Sequence, residues 1–219
     1  MGANVSLVDI AHGASRRRRP PGGSNGQSAP APGLERRLDI QVYSDARVTQ
    51  AGRPWERSVW REARVLIAEC PAPRLAYGIE QALRAAACGI ARDRGWRGLG
   101  TVAFSLDDAT GMFRVLEAAL QHDTDEGAGV LEPISAHTLD VRIGACVASG
   151  RPDAHLVVCG TTRGDALRRA YQAIGDMPGL AVPERAFLLN RIASPAFCSG
   201  LTGSRLDRIT DWSDHRAAS

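Results

Sequence analysis

Residues 97–117 read RGLGTVAFSLDDATGMFRVLE. Two short runs rich in Val, Phe and Leu flank the Asp107, Asp108, Ala109, Thr110, Gly111 cluster, the pattern of two antiparallel strands and a tight connection. Counted back from the turn, position 103 lies nearly opposite 115 to 117. It shares parity with 117, so their side chains are expected on one face. One is a carboxylate, Glu117, and the other is Ala103.

Working outward, Leu38–Ser44 alternates apolar and polar residues and predicts a half-buried strand. Ala63–Glu69 predicts a buried strand. Leu75–Arg94 places Leu75, Ile79, Leu83, Ala86, Ala87 and Ile90 at spacings of three and four, which predicts a helix stopped by Gly95. Gly95, Gly98 and Gly100 follow a helix and precede a strand, the reverse of a dinucleotide-binding loop, so they are turn formers. Leu139–Pro152 is expected to be helical, and Thr162 to cap a helix over Arg163–Ala170.

Composition sets limits. The 219 residues suffice for one cored domain or two small ones. The formal charge of +3 is carried by Arg16–Arg19 alone, which argues against a body-wide basic surface for nucleic acid. Gly13–Gly33 is nearly devoid of apolar side chains and cannot offset its ordering entropy by burial, so a solvated tail is expected over 1–34. No lysine occurs in the chain. The five cysteines, Cys70, Cys88, Cys146, Cys159 and Cys198, form no Cys-x-x-Cys pair and read as small buried thiols of a reducing compartment. No apolar run is long enough to span a membrane, and the apolar patch Val5–Ala11 precedes its arginines, the wrong order for a secretory signal. A cytoplasmic protein is expected. His122 and Asp123, or His137 and Asp140, match no zinc or di-metal spacing and read as surface or capping residues.

A Gly-Thr-x-x-Phe strand followed by a hairpin ending in Leu-Glu resembles the metal-binding hairpin of biotin carboxylases, members of the ATP-grasp group. Leu38–Ser44 is similar to that family's strand His-Ile-Glu-Val-Gln-Val. Arg53–Pro73 resembles its stretch ending Glu-Glu-Ala-Pro-Ala-Pro, with Glu69, Arg61 and Ser58 matching. Leu139–Pro152, Arg163–Ala170 and Val182–Phe197 resemble later segments in family order.

The resemblance implies an α+β fold: a partial ATP-grasp region carrying the antiparallel hairpin over 35–152, and a remnant of the biotin carboxylase C-terminal domain over 153–210. In the family both facing hairpin positions are glutamates holding Mg2+ against ATP, assisted by an asparagine. Here the matching residues are Ala103, Glu117 and Ala119, which leaves Glu117 as the metal-ligand candidate. The family lysine at bicarbonate falls at Val65, its histidine near the nucleotide at Ala63, and its enolate-stabilising arginine at Gln121. Aligned without gaps, the catalytic base falls at Asp125, whose neighbours Asp123 and Glu126 also make it part of an acidic, solvated loop, whereas a small gap that matches Leu120 and Gln121 to the family's Leu-Gln leaves the base unassigned.

The expected function is therefore a catalytically degenerate biotin-carboxylase-like protein that at most binds or modulates an acyl-CoA carboxylase assembly. Its expected partners are a biotin carrier, a carboxyltransferase or a second copy of itself. ATP and Mg2+ are its cofactors if the family activity is retained. The alternatives are an active ATP-dependent biotin carboxylase subunit and a phosphate or nucleic-acid binder acting through Arg16–Arg19.

Overall fold

The computed structural model describes residues 5–8, 35–45, 47–61, 64–121, 136–143 and 154–201. In chain order the elements are β1 Val5–Val8, β2 Glu35–Ser44, β3 Thr49–Ala51, β4 Trp55–Arg61, β5 Arg64–Cys70, α1 Tyr77–Asp93, β6 Gly98–Asp107, β7 Phe113–Leu120, β8 His137–Ile143, β9 Ala154–Gly160, α2 Arg163–Asp176, α3 Val182–Ala193 and α4 Pro195–Cys198. All described strands join one antiparallel sheet in the order β1-β9-β8-β5-β4-β2-β6-β7, with β3 also paired to β2.

Both helical layers lie on one face of this sheet. Leu38, Ile40 and Val42 of β2 and Val102, Phe104 and Leu106 of β6 pack with Leu83, Ala87 and Ala91 of α1. Ile67, Leu139, Val141, Ile143, Leu156 and Val158 pack with Ala166, Leu167, Ala170 and Ile174 of α2 and with residues of α3 and α4. The register carries one face across: Leu38 opposes Glu56, Glu56 opposes Glu69, and Glu69 opposes Leu139. Directly opposed residues of an antiparallel ladder project to the same side, so α1 and α2 cover the same surface.

Local chemistry explains the element ends. In the β6–β7 turn the Asp107 carboxylate accepts from Ala109 N at 2.8 Å and Gly111 adopts φ +72°, open to glycine without a Cβ clash. Helix α1 stops where Gly95 turns to φ +63° and Trp96 N donates back to Ala91 O at 2.9 Å, as its sequence predicts.

One expectation changes. His137–Ile143 is a strand, not the start of a helix. Leu139, Val141 and Ile143 alternate with polar residues and are fully buried, a period of two that the shared helix-like spacing of Leu139 and Ile143 masks. The remaining residues of that expected helix, 144–152, lie outside the described residues. Strand β9 pairs with β8 along its whole length. Within the expected tail, Val5–Val8 form a strand on β9, while Arg16–Arg19 lie outside the described residues. No described helix is long and apolar enough to cross a membrane.

Candidate functional site

The hairpin places Ala103 of β6 directly opposite Glu117 of β7, and Asp39 of β2 opposite Ala103 on its other side. These three positions form one row across three strands, on the face away from α1. Thr101 and Ala119 are opposed in the next row. A bulge between Ala103 and Phe104 sets this arrangement, since the ladder runs Phe104 to Val115 and then Ala103 to Glu117, skipping Leu116.

Arg37 reaches along this face to both carboxylates. Its Nε donates to Asp39 Oδ1 at 3.2 Å, and its Nη2 stands 3.7 Å from Glu117 Oε2. Arg57 Nε lies 2.7 Å from Asp39 Oδ2. One step along β2, Glu35 accepts from Ser105 Oγ at 2.5 Å and from Arg114 Nη2 at 3.0 Å. The Ser105 hydroxyl first, and then Arg114, hold the Glu35 carboxyl below the usual carboxylate range. The strand thus presents alternating charge, Glu35, Arg37 and Asp39, each matched by side chains of β2 itself, β4, β6 or β7. Arg37 and Asp39 are buried, whereas the Glu117 side chain remains 55% exposed.

Mg2+ is usually held by carboxylates together with substrate phosphates, at short and near-octahedral oxygen contacts. The residues present do not fit a Mg–ATP group at this row. Ala103 and Ala119 supply no oxygen ligand from their side chains, and Glu117 already faces a guanidinium. Val65 is buried and offers no charge to an anion. Gln121 N is tied to Leu99 O at 2.8 Å, while its Oε1 is buried without a hydrogen-bond partner.

Of the other sequence candidates, Asp125, Ala63, His122, Asp123 and Glu126 lie outside the described residues. His137 and Asp140 differ in parity along β8, so they project to opposite faces and share no ion. Among the described residues no group of three His, Cys, Asp or Glu side chains could hold a metal ion. The thiols divide differently from expectation: Cys70 is buried, and burial pushes it up to about 12, but Cys159 and Cys198 are exposed. Sequence reasoning missed Arg37, Asp39 and Arg57 as members of the site. The alternation of charge at 35, 37 and 39 was the available signal.

Residues 35–123 match the family model described as carbamoyl-phosphate synthase L chain, ATP binding domain. No curated protein matches the sequence. Among solved structures, a complete multifunctional pyruvate carboxylase from Rhizobium etli is 17% identical with a TM-score of 0.67, over 81% of this chain and 24% of that one. The Kluyveromyces lactis urea carboxylase is 17% identical with a TM-score of 0.66, over 78% of this chain and 21% of that one. The biotin carboxylase domain of a thermophilic 2-oxoglutarate carboxylase, bound to bicarbonate, is 15% identical with a TM-score of 0.66, over 79% of this chain and 53% of that one. The chain therefore spans about a quarter of the multidomain carboxylases and about half of the single domain it resembles.

Proposed function

We propose that this chain, which has the ATP-grasp fold of biotin carboxylases, is a catalytically degenerate relative whose role is to bind or regulate an acyl-CoA carboxylase assembly. Its partner on this reading is a biotin carrier or carboxyltransferase component. The observation that supports it is the contact of Arg37 with both Asp39 and Glu117, flanking an alanine at 103. The Arg37 guanidinium stands 3.7 Å from the carboxylate that would otherwise meet a divalent ion, and the facing hairpin position is an alanine.

The purified chain is expected to show no bicarbonate-dependent ATP hydrolysis with free biotin. Turnover above background that disappears in Glu117→Ala would overturn the proposal. The competing reading, an active ATP-dependent biotin carboxylase subunit, is favoured by the ATP-binding description of the family matched over 35–123, and the same assay decides between them. Recovery of a biotinylated carrier or a carboxyltransferase on the tagged chain would support the binding role.

A further inference from the structure

Strand β7 is the last in the sheet order, and among the described residues no strand pairs with its outer side. Gln121 N donates to Leu99 O at 2.8 Å and Asp107 N donates to Met112 O at 2.9 Å, so 99/121 and 107/112 are hydrogen-bonded pairs of the β6–β7 ladder. Such pairs alternate along an antiparallel ladder with pairs whose amides point away. Residues 114, 117 and 119 therefore bond to β6, while 113, 118 and 120 turn N–H and C=O outward. Ala118 O shows this directly, since it accepts from the exposed Arg94 Nη1 at 2.7 Å. A carbonyl oxygen has two lone pairs, so the same atom can accept a second donor. The side chains follow the same ladder. Phe113, Val115, Ala118 and Leu120 oppose Leu106, Phe104, Val102 and Gly100 on the α1 side. There Phe113, Ala118 and Leu120 are only partly buried and Val115 is 44% exposed. On the far face Arg114 and Glu117 oppose Ser105 and Ala103, with side chains 58% and 55% exposed.

We propose that β7 is a dimerisation edge: a second copy of this chain adds its own β7 antiparallel to it about a two-fold axis, with Arg114 opposite Glu117 of the second copy. A two-fold pairing within one sheet opposes residues that project to the same face. In a regular strand those residues have numbers of equal parity. The bulge that skips Leu116 changes this, because Arg114 and Glu117 share a face although their numbers differ in parity. The register that opposes them also sets Phe113 against Ala118 of the second copy, two apolar residues on the α1 side whose amides both face outward. Arg114 and Glu117 then form a pair without backbone bonds between them, the kind whose side chains stand closer, and the two-fold supplies it twice. Opposite charges directly across a ladder stabilise it and like charges destabilise it. A register centred on either charged residue would set it against its own copy, like against like. Self-complementary charge therefore selects a second copy of this chain as the occupant. Within its own chain Arg114 meets Glu35 at 3.0 Å and Glu117 stands 3.7 Å from Arg37, yet more than half of each side chain stays open to the second copy.

Sedimentation of the full chain reads the association, with a reductant present because Cys159 and Cys198 are exposed. A monomer–dimer equilibrium is expected between about 1 and about 100 µM. Arg114→Glu and Glu117→Arg should each weaken it by about tenfold or more, since each sets two like-charged pairs across the edge. Mixed in equal amounts, the two single variants should associate as the unmodified chain does, because every opposed pair is then one acid and one arginine. The double variant, Arg114→Glu with Glu117→Arg, should recover in the same way, although it regains neither ion pair within its own chain, to Glu35 or to Arg37. A chain that stays monomeric over the whole range would overturn the proposal, as would a dimer that both single variants leave intact. Single variants whose loss neither mixing nor combination restores would do the same.

Discussion

Gly160 ends β9 where the chain turns into α2, and a Cβ built there would stand 2.4 Å from Ala166 N, a backbone atom that cannot swing aside. Gly160→Ala is therefore expected to destabilise the protein by about 1–3 kcal/mol, the range for forcing an extra carbon into packed structure. The same change at Gly89, inside α1 with nothing within 4 Å of its Cβ position, should stabilise by about 0.5–1 kcal/mol. Urea unfolding of both variants checks the pair, and equal shifts would contradict it. At the candidate site, single residues were legible to different degrees. The identities of Ala103, Ala119, Val65 and Gln121 are plain in the sequence, and their side chains limit the chemistry whatever the fold. The engagement of Glu117 by Arg37 was not legible, because it joins residues of two strands that are not neighbours in the sheet.

At the scale of elements, α2 illustrates a local signal that tertiary structure leaves unaltered. Thr162 lies outside the helix with extended backbone, and its Oγ1 accepts from Asp165 N at 3.2 Å, while Asp165 accepts from Thr161 N at 3.3 Å. Replacing Thr162 by Ala strands one first-turn amide and should cost about 1 kcal/mol, measurable as a lower midpoint of thermal or urea unfolding. Thr162→Ser should recover most of that loss. The hairpin is subtler. Without the bulge at Leu116 the ladder would oppose Ala103 to Leu116 and turn Glu117 towards the α1 side. Parity of residue numbers on two different strands does not by itself put 103 and 117 on one face; the bulge does so by making them direct partners. In β8 the apolar alternation of Leu139, Val141 and Ile143 is present to be read, yet the segment's resemblance to a family helix points the other way.

At the scale of the whole molecule, Arg163 joins the helical layer to the sheet through Glu69 and to α4 through two backbone carbonyls. Arg163→Met would leave Glu69 buried without this guanidinium and is expected to cost about 3–5 kcal/mol, as for breaking one side of a buried ion pair. Adding Glu69→Met should restore much of that loss, since a buried apolar pair of similar volume replaces the ions. A double variant no more stable than Arg163→Met alone would show that Glu69 is not the group left wanting. The sheet continues from β8 into β9, while the buried apolar residues form two clusters.

The sequence by itself determined what short-range physics controls: the strands read from apolar alternation, α1 from its spacing and glycine stop, the cap of α2, and the absence of charged side chains at 65, 103 and 119. Only the tertiary structure decided which charges meet. Arg36 and Glu56 are 20 residues apart, and Arg163 and Glu69 are 94 apart. Such pairings depend on strand order and register, which fix the buried distances over which charges act strongly. No window of local periodicity contains that information.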